Sequence, residues 1–200
     1  MIPKSFIDFY GDETRWFLGE VVDIEKDPKK LGRVKVRVFG VYGSDISDED
    51  LPWAQIVVPI TQGVHDGKGQ YLGLLKGTQV FGMFLDGKHS QLPMVIGTVP
   101  KEGDQNKDRD MSNYPHNKVY QTERGHYKEY DDTTGSERIK ESHMSGTYYE
   151  MDKGGNMTIY AKGNVTIEAN GEKVTVKGKK IEVNGELVDI TGGQNIKLNS

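Results

Sequence analysis

The 200-residue sequence contains no cysteine, which removes disulfide scaffolds, thiolate metal centres and cysteine nucleophiles together. Alanine is nearly missing, at only three positions (Ala54, Ala161, Ala169), and leucine is outnumbered by valine, 10 to 18. Alanine and leucine lead the helix formers, whereas valine suits the pleated sheet, so a mainly helical fold is excluded. Long apolar runs are absent. The stretch from Gln55 to Ile60 is among the longest, far short of the roughly 20 residues that a membrane-spanning helix needs. Met1-Ile2-Pro3-Lys4-Ser5 leads into no apolar core of a signal peptide, so a soluble chain made in a cytoplasm is expected. A positive surplus is lacking too: 26 basic residues face 30 acidic ones, for a net charge of −4, which argues against a polyanion binder. What the chain has in excess is glycine, 25 residues or an eighth of the total, against a usual share of about 7%. An all-β, turn-rich protein is expected.

Three regions follow from the patterning. Residues 1–100 hold five short candidate strands, Trp16–Ile24, Val34–Val38, Trp53–Ile60, Val80–Leu85 and Met94–Val99. The second alternates valine with lysine and arginine, the period of a half-buried strand. Five such strands in about 100 residues predict a small barrel of the OB type. Residues 101–118 open on a polar, aperiodic run from Lys101 to Asp110 and are expected to be a linker. Residues 119–153 are expected to form collar strands leading into a repeat over 154–200.

In that repeat, Gly155, Gly163, Gly171, Gly178, Gly185 and Gly192 recur every seven or eight residues, with short alternating apolar runs between them. The period matches a β-helix or β-prism solenoid. Each unit offers two or three apolar side chains on one face, and a single chain winding this way would leave that stripe in water and both strand edges unpaired. Three identical chains sharing one core solve the problem. Ile159, Ile167, Val174, Val176, Ile181, Val183, Val188, Ile190, Ile196 and Leu198 then point to the axis, with the glycines at the corners. A homotrimer is expected.

A family resemblance rests on specific motifs. Trp16-Phe17-Leu18-Gly19-Glu20-Val21-Val22-Asp23, then Asp27-Pro28, then Leu31-Gly32-Arg33-Val34-Lys35-Val36-Arg37-Val38-Phe39-Gly40, resemble the OB domain of the central spike protein of contractile-tailed phages. Leu51-Pro52-Trp53-Ala54, Gly77-Thr78-Gln79-Val80-Phe81-Gly82 and Pro93-Met94-Val95-Ile96-Gly97-Thr98 continue the likeness. Tyr114-Pro115-His116-Asn117-Lys118-Val119-Tyr120 and Asp131-Asp132-Thr133-Thr134-Gly135-Ser136-Glu137-Arg138-Ile139 look like the start of that family's shaft. The valine-glycine repeat spikes of type VI secretion are similar through the same elements. The resemblance implies a virion protein of the tail baseplate that docks on a hub protein through its OB domain and transiently contacts and pierces the target envelope. Two departures matter. Relatives often carry a lysozyme domain between barrel and shaft, where this sequence has about 20 polar residues, so no enzymatic activity is expected. The His-x-His iron site of some pointed tips is missing as well. The resemblance then implies a blunt end covered by a small tip protein of the PAAR type.

Other chemistry is thin. Asp48-Glu49-Asp50 and Asp131-Asp132 are the densest carboxylates, but neighbours on a strand point to opposite faces and make no catalytic pair. The five histidines (His65, His89, His116, His126, His143) never come closer than 10 residues in sequence, so no local metal site, and no cofactor, is expected, although His126 or His143 could line the trimer axis. Gly67-Lys68-Gly69 lacks the spacing and following helix of a phosphate loop. Two rival readings remain: a spike-linked cell-wall hydrolase, and an OB-fold nucleic-acid binder using Arg33, Lys35, Arg37 and Trp53.

Overall fold

The computed structural model describes residues 14–69, 73–105 and 113–191. Ile196, Leu198 and Gly192, expected at the axis and at a corner, lie outside the described residues. The chain divides into two compact units, residues 1–108 and 109–200.

The first unit is a closed five-stranded barrel. Its strands are β1 (Arg15–Asp23), β2 (Val34–Val38), β3 (Trp53–Ile56), β4 (Gln79–Phe84) and β5 (Pro93–Thr98), joined in the order β1-β2-β3-β5-β4. β1 is long enough to pair with both β2 and β4, and β3 meets β5 in parallel, which closes the ring. The strand expected over Trp53–Ile60 stops at Ile56. The Val57 amide still bonds Val95 O at 2.8 Å, but Pro59 has no amide to donate, and a 3-10 turn follows at Ile60–Gln62.

The inward face carries Phe17, Val21, Val34, Val36, Val38, Ala54, Val80, Phe84 and Val95, closed by Tyr42 and Leu51 from the β2–β3 connection. Phe84 lies at its centre, with its ring 4.9 Å from Phe17 and 6.1 Å from Tyr42 between centroids. Two glycines permit this packing. A Cβ on Gly19 would stand 2.5 Å from Val36 Cγ1, and one on Gly82 would stand 2.5 Å from Phe17 Cζ. Both strands therefore cross the core where no side chain fits.

One expectation needs correction. Alternation along Val34–Val38 suggested a dry face and a wet one, but Lys35 is buried, at 7% exposed. The β2–β3 connection folds over it. Lys35 Nζ donates to Glu49 O at 2.5 Å and stands 4.9 Å over the Trp53 ring, so the ammonium keeps a hydrogen bond and a π face in place of water.

The β1–β2 connection is organised by Asp27. Its carboxylate accepts from the amides of Lys29 (3.0 Å), Leu31 (2.8 Å) and Arg33 (3.2 Å), and from Arg33 Nη2 at 2.6 Å and Nε at 3.1 Å. The Arg33 guanidinium first, then the three amides, hold this carboxyl well below the usual aspartate range against the opposing effect of desolvation. A depressed aspartate stabilises the fold above its unfolded value, and that contribution is lost as pH falls through the folded value. This contribution is therefore expected to persist from neutral pH down to about pH 4 and to be lost progressively below. Asp27→Asn should be less stable at pH 7 and should show a shallower acid slope. Urea midpoints measured across this range would contradict the assignment if the two proteins lost stability in parallel.

The second unit is an antiparallel meander of β6 (Asn117–Gln121), β7 (Tyr127–Asp131), β8 (Arg138–Ser142), β9 (Tyr148–Asp152) and β10 (Met157–Tyr160), in the order β10-β9-β8-β7-β6. Four hairpin turns connect them, each with a left-handed glycine: Gly125, Gly135, Gly146 and Gly155, at φ 87°, 87°, 88° and 75°. Residues 161–191 form no strand within the single chain.

Candidate functional site

The meander has two unlike faces. The strand registers place Asn117, Val119, Tyr127, Glu129, Asp131, Arg138, Lys140, Tyr148 and Glu150 on one side. Here polar groups satisfy one another. Glu129, only 1% exposed, accepts from Arg138 Nη2 at 3.0 Å and Nε at 3.2 Å, and from Asn117 Nδ2 at 2.8 Å. Asp131 accepts from Asn113 Nδ2 at 2.8 Å and from the Thr133 amide at 2.9 Å. Lys140 pairs with Glu150 at 2.8 Å and stands 4.0 Å over the Tyr148 ring. Buried charges persist only with such partners.

The other side carries Lys118, Tyr120, Lys128, Tyr130, Ile139, Glu141, Tyr149, Met151, Met157 and Ile159. All but Glu141 are exposed. Over β6–β8 the polar face is thus buried or half-buried while the apolar face is bare, the reverse of the usual order for a sheet with a core. A contiguous apolar surface of this kind marks an interaction site. Its polar members are tied to each other: Tyr149 Oη donates to Glu141 Oε2 at 2.6 Å, and Lys128 Nζ meets the same oxygen at 3.1 Å. The Tyr149 hydroxyl and then the Lys128 ammonium lower the Glu141 carboxyl, while the hydrogen bond to Glu141 raises both Lys128 and Tyr149.

Of the expected axial residues, Ile159 lies on this bare face, in β10 beside Met157. Ile167, Val174, Val176, Ile181, Val183, Val188 and Ile190 follow in 161–191 and are between 48% and 76% exposed. The single chain brings no partner strand to them. Gly155 takes a left-handed φ of 75° at a hairpin corner, while Gly163, Gly171, Gly178 and Gly185 do not enter that region. Sequence reasoning missed Tyr120, Tyr130, Ile139, Tyr149, Met151 and Met157. The signal was present in the glycines at 125, 135, 146 and 155, about ten apart, which mark four hairpins and so the phase of each strand.

The residues of the rival readings are engaged elsewhere. Arg33 is bound to Asp27, Lys35 is buried, and Arg37 donates to Gly43 O (2.5 Å), Ile46 O (2.8 Å) and Asp48 Oδ1 (2.6 Å). These cations hold the barrel's own loops. Asp131 is enclosed in the polar network, and Asp132 pairs with Lys118, so the two form no catalytic dyad. Gly67 and Gly69 sit at a hairpin tip where His65 and Lys68 exchange backbone bonds of 3.0 Å. Among the described residues, no three metal-ligating side chains converge. His126 and His143 nevertheless meet, with ring centroids 4.5 Å apart.

Comparison with known proteins supports the OB-type barrel. Residues 39–125 match the family described as the Gp5 N-terminal OB domain. The pre-baseplate central spike protein Gp5 of Enterobacteria phage T4 is 38% identical over 101 residues, covering 46% of this chain and 17% of that protein. Protein Gp5 of Vibrio phage KVP40 is 24% identical over 272 aligned positions, covering 80% of this chain and 64% of that protein. The chain therefore spans less than two thirds of the length of either relative.

Proposed function

We propose, from the premise that this chain carries a Gp5 N-terminal OB domain and is related to phage central spike proteins, that it works as a homotrimeric, envelope-puncturing spike. Its place is the tail baseplate of a virion. The observation that carries the reading is the bare apolar face of β6–β10, which runs through Met157 and Ile159 into the apolar positions of the repeat. Three such faces turned toward one axis would bury each other, and the repeats of three chains would supply the strand partners that one chain lacks. The result is a stiff rod held by a closed ladder of backbone hydrogen bonds, and stiffness is what a device that transmits contraction force requires. The barrel would dock on a hub protein, and a PAAR-like protein would cover the far end of the shaft. Piercing needs no reaction, so a structural role accounts for the chain without catalysis.

The test is the mass of the purified chain in solution. Sedimentation equilibrium should give three times the chain mass of 22.4 kDa, and a peptidoglycan-clearing assay should show no activity. A monomer would overturn the assembly, and clearing that survives repurification would favour the hydrolase rival.

A further inference from the structure

Where glycine follows asparagine, the side-chain carboxamide lies beside a backbone amide that no Cβ shields. The sequence has two such pairs, Asn170-Gly171 and Asn184-Gly185, and both fall at corners of the repeat. All four residues are exposed and lie in 161–191, where the single chain forms no strand. Among the described residues, neither asparagine side chain and neither glycine amide has a hydrogen-bond partner. Gly171 and Gly185 stay outside the left-handed region, and a Cβ on Gly171 would meet nothing within 4 Å. Other described asparagines are held or shielded. Asn117 Nδ2 donates to Glu129 and Asn113 Nδ2 to Asp131, both at 2.8 Å. Asn156 Nδ2 donates to Asp152 at 2.9 Å, and the next residue opens β10. Asn164 is exposed too, but Val165 follows it, and the two methyls on its Cβ crowd the amide.

We infer that Asn170 and Asn184 are sites of spontaneous deamidation, a modification that changes both the charge and the backbone of the glycine repeat. The Gly171 nitrogen gives up its proton to water and attacks Asn170 Cγ. The new N–C bond closes a five-membered succinimide, the Cγ–Nδ2 bond breaks, and Nδ2 takes up a proton and leaves as ammonia. Water then adds to one of the two ring carbonyls. Opening at one leaves aspartate in place of asparagine, and opening at the other leaves isoaspartate, in which the main chain runs through Cβ. Asn184 and Gly185 react in the same way. Each event adds one negative charge at neutral pH. Isoaspartate also lengthens the main chain by one carbon, which disturbs the register of the run that follows. The ring closes only where the glycine amide is not spent in a ladder and the chain can leave the extended conformation. Those conditions fail in β6–β10 and hold in 161–191. The inference goes beyond the structural role proposed above and does not depend on the number of chains, since both asparagines precede corners rather than axial positions.

The full chain would be held at about pH 8 and about 37 °C for days, with samples digested by trypsin and weighed by mass spectrometry. Peptides 163–173 and 181–197 carry the two sites, and each also holds an asparagine that no glycine follows, Asn164 or Asn195. Both peptides are expected to gain about 1 Da and to split into an aspartate and an isoaspartate peak, with fragmentation placing the change at Asn170 and Asn184. Gly171→Ala, which the open space at that position accommodates, should slow the first peptide at least about tenfold while the second keeps its rate in the same molecule. A mass gain shared evenly with Asn164 and Asn195 would overturn the inference, and so would a first peptide that reacts as fast in Gly171→Ala. Peptides that change only when the chain is unfolded in urea, or not at all, would overturn it too. None of these readouts depends on sedimentation, so a failed trimer and a failed modification site are told apart.

Discussion

Val176→Asp is expected to abolish the proposed trimer while the barrel stays folded. In one chain Val176 is 69% exposed, and a substitution at such a site usually changes stability by less than about 0.5 kcal/mol. In the assembly, the same position would bring three carboxylates to one axis among valines and isoleucines. Each ion would forfeit its hydration at a cost of several kcal/mol, and each would repel the other two. The sedimenting species should fall to the single-chain mass of 22.4 kDa, while the barrel signal in a two-dimensional NMR spectrum stays in place. Thr175→Asp, on the opposite side of the same short run, is the control and should remain trimeric. A Val176→Asp chain that stays trimeric and heat-resistant would disprove the axial assignment from Ile159 to Leu198.

Phe84→Ala should do the reverse, melting the barrel without touching the bare face of the meander. Phe84 is 1% exposed and packs on both Phe17 and Tyr42. Truncating a core phenylalanine costs about 3–5 kcal/mol, the lost transfer energy plus the cavity left behind. A domain of this size holds only about 5–15 kcal/mol in total. At about 4–8 °C per kcal/mol, the barrel transition should drop by roughly 12 to 40 °C. Calorimetry on the full chain would measure it. A drop of only a few degrees would mean that the barrel is held chiefly elsewhere, with the loop network around Asp27 and Arg33 the first place to look.

These two substitutions separate what each part of the chain shows before it folds. The barrel strands were legible because each is short, β-branched and bounded by turns, and four of the five expected positions fall within one residue of β1, β2, β4 and β5. β3 was overextended because a proline-flanked apolar run reads the same whether or not its amides find partners. The motif Asp27-Pro28 to Arg33 was recognisable by resemblance, but its reason was not. Five donors converge on one carboxylate only after the chain has turned back on itself, and Lys30 and Gly32 take positive φ to allow it. Lys35 shows the same limit, since alternation says which side of a strand a residue takes and not what later covers that side.

Sequence alone determined that this protein is all-β, that it begins with a small barrel, and that its tail repeats every seven or eight residues with one apolar face. Those properties are local: propensity, period and turn chemistry act over a few neighbours. Tertiary structure decided which face of the meander is bare and which cations are spent inside the barrel. It also decided that two histidines 17 residues apart in sequence share one groove. Each of these depends on register between strands. A shift of one residue in pairing would exchange the two faces of the sheet, and only the hairpin geometry at Gly125, Gly135, Gly146 and Gly155 sets that register.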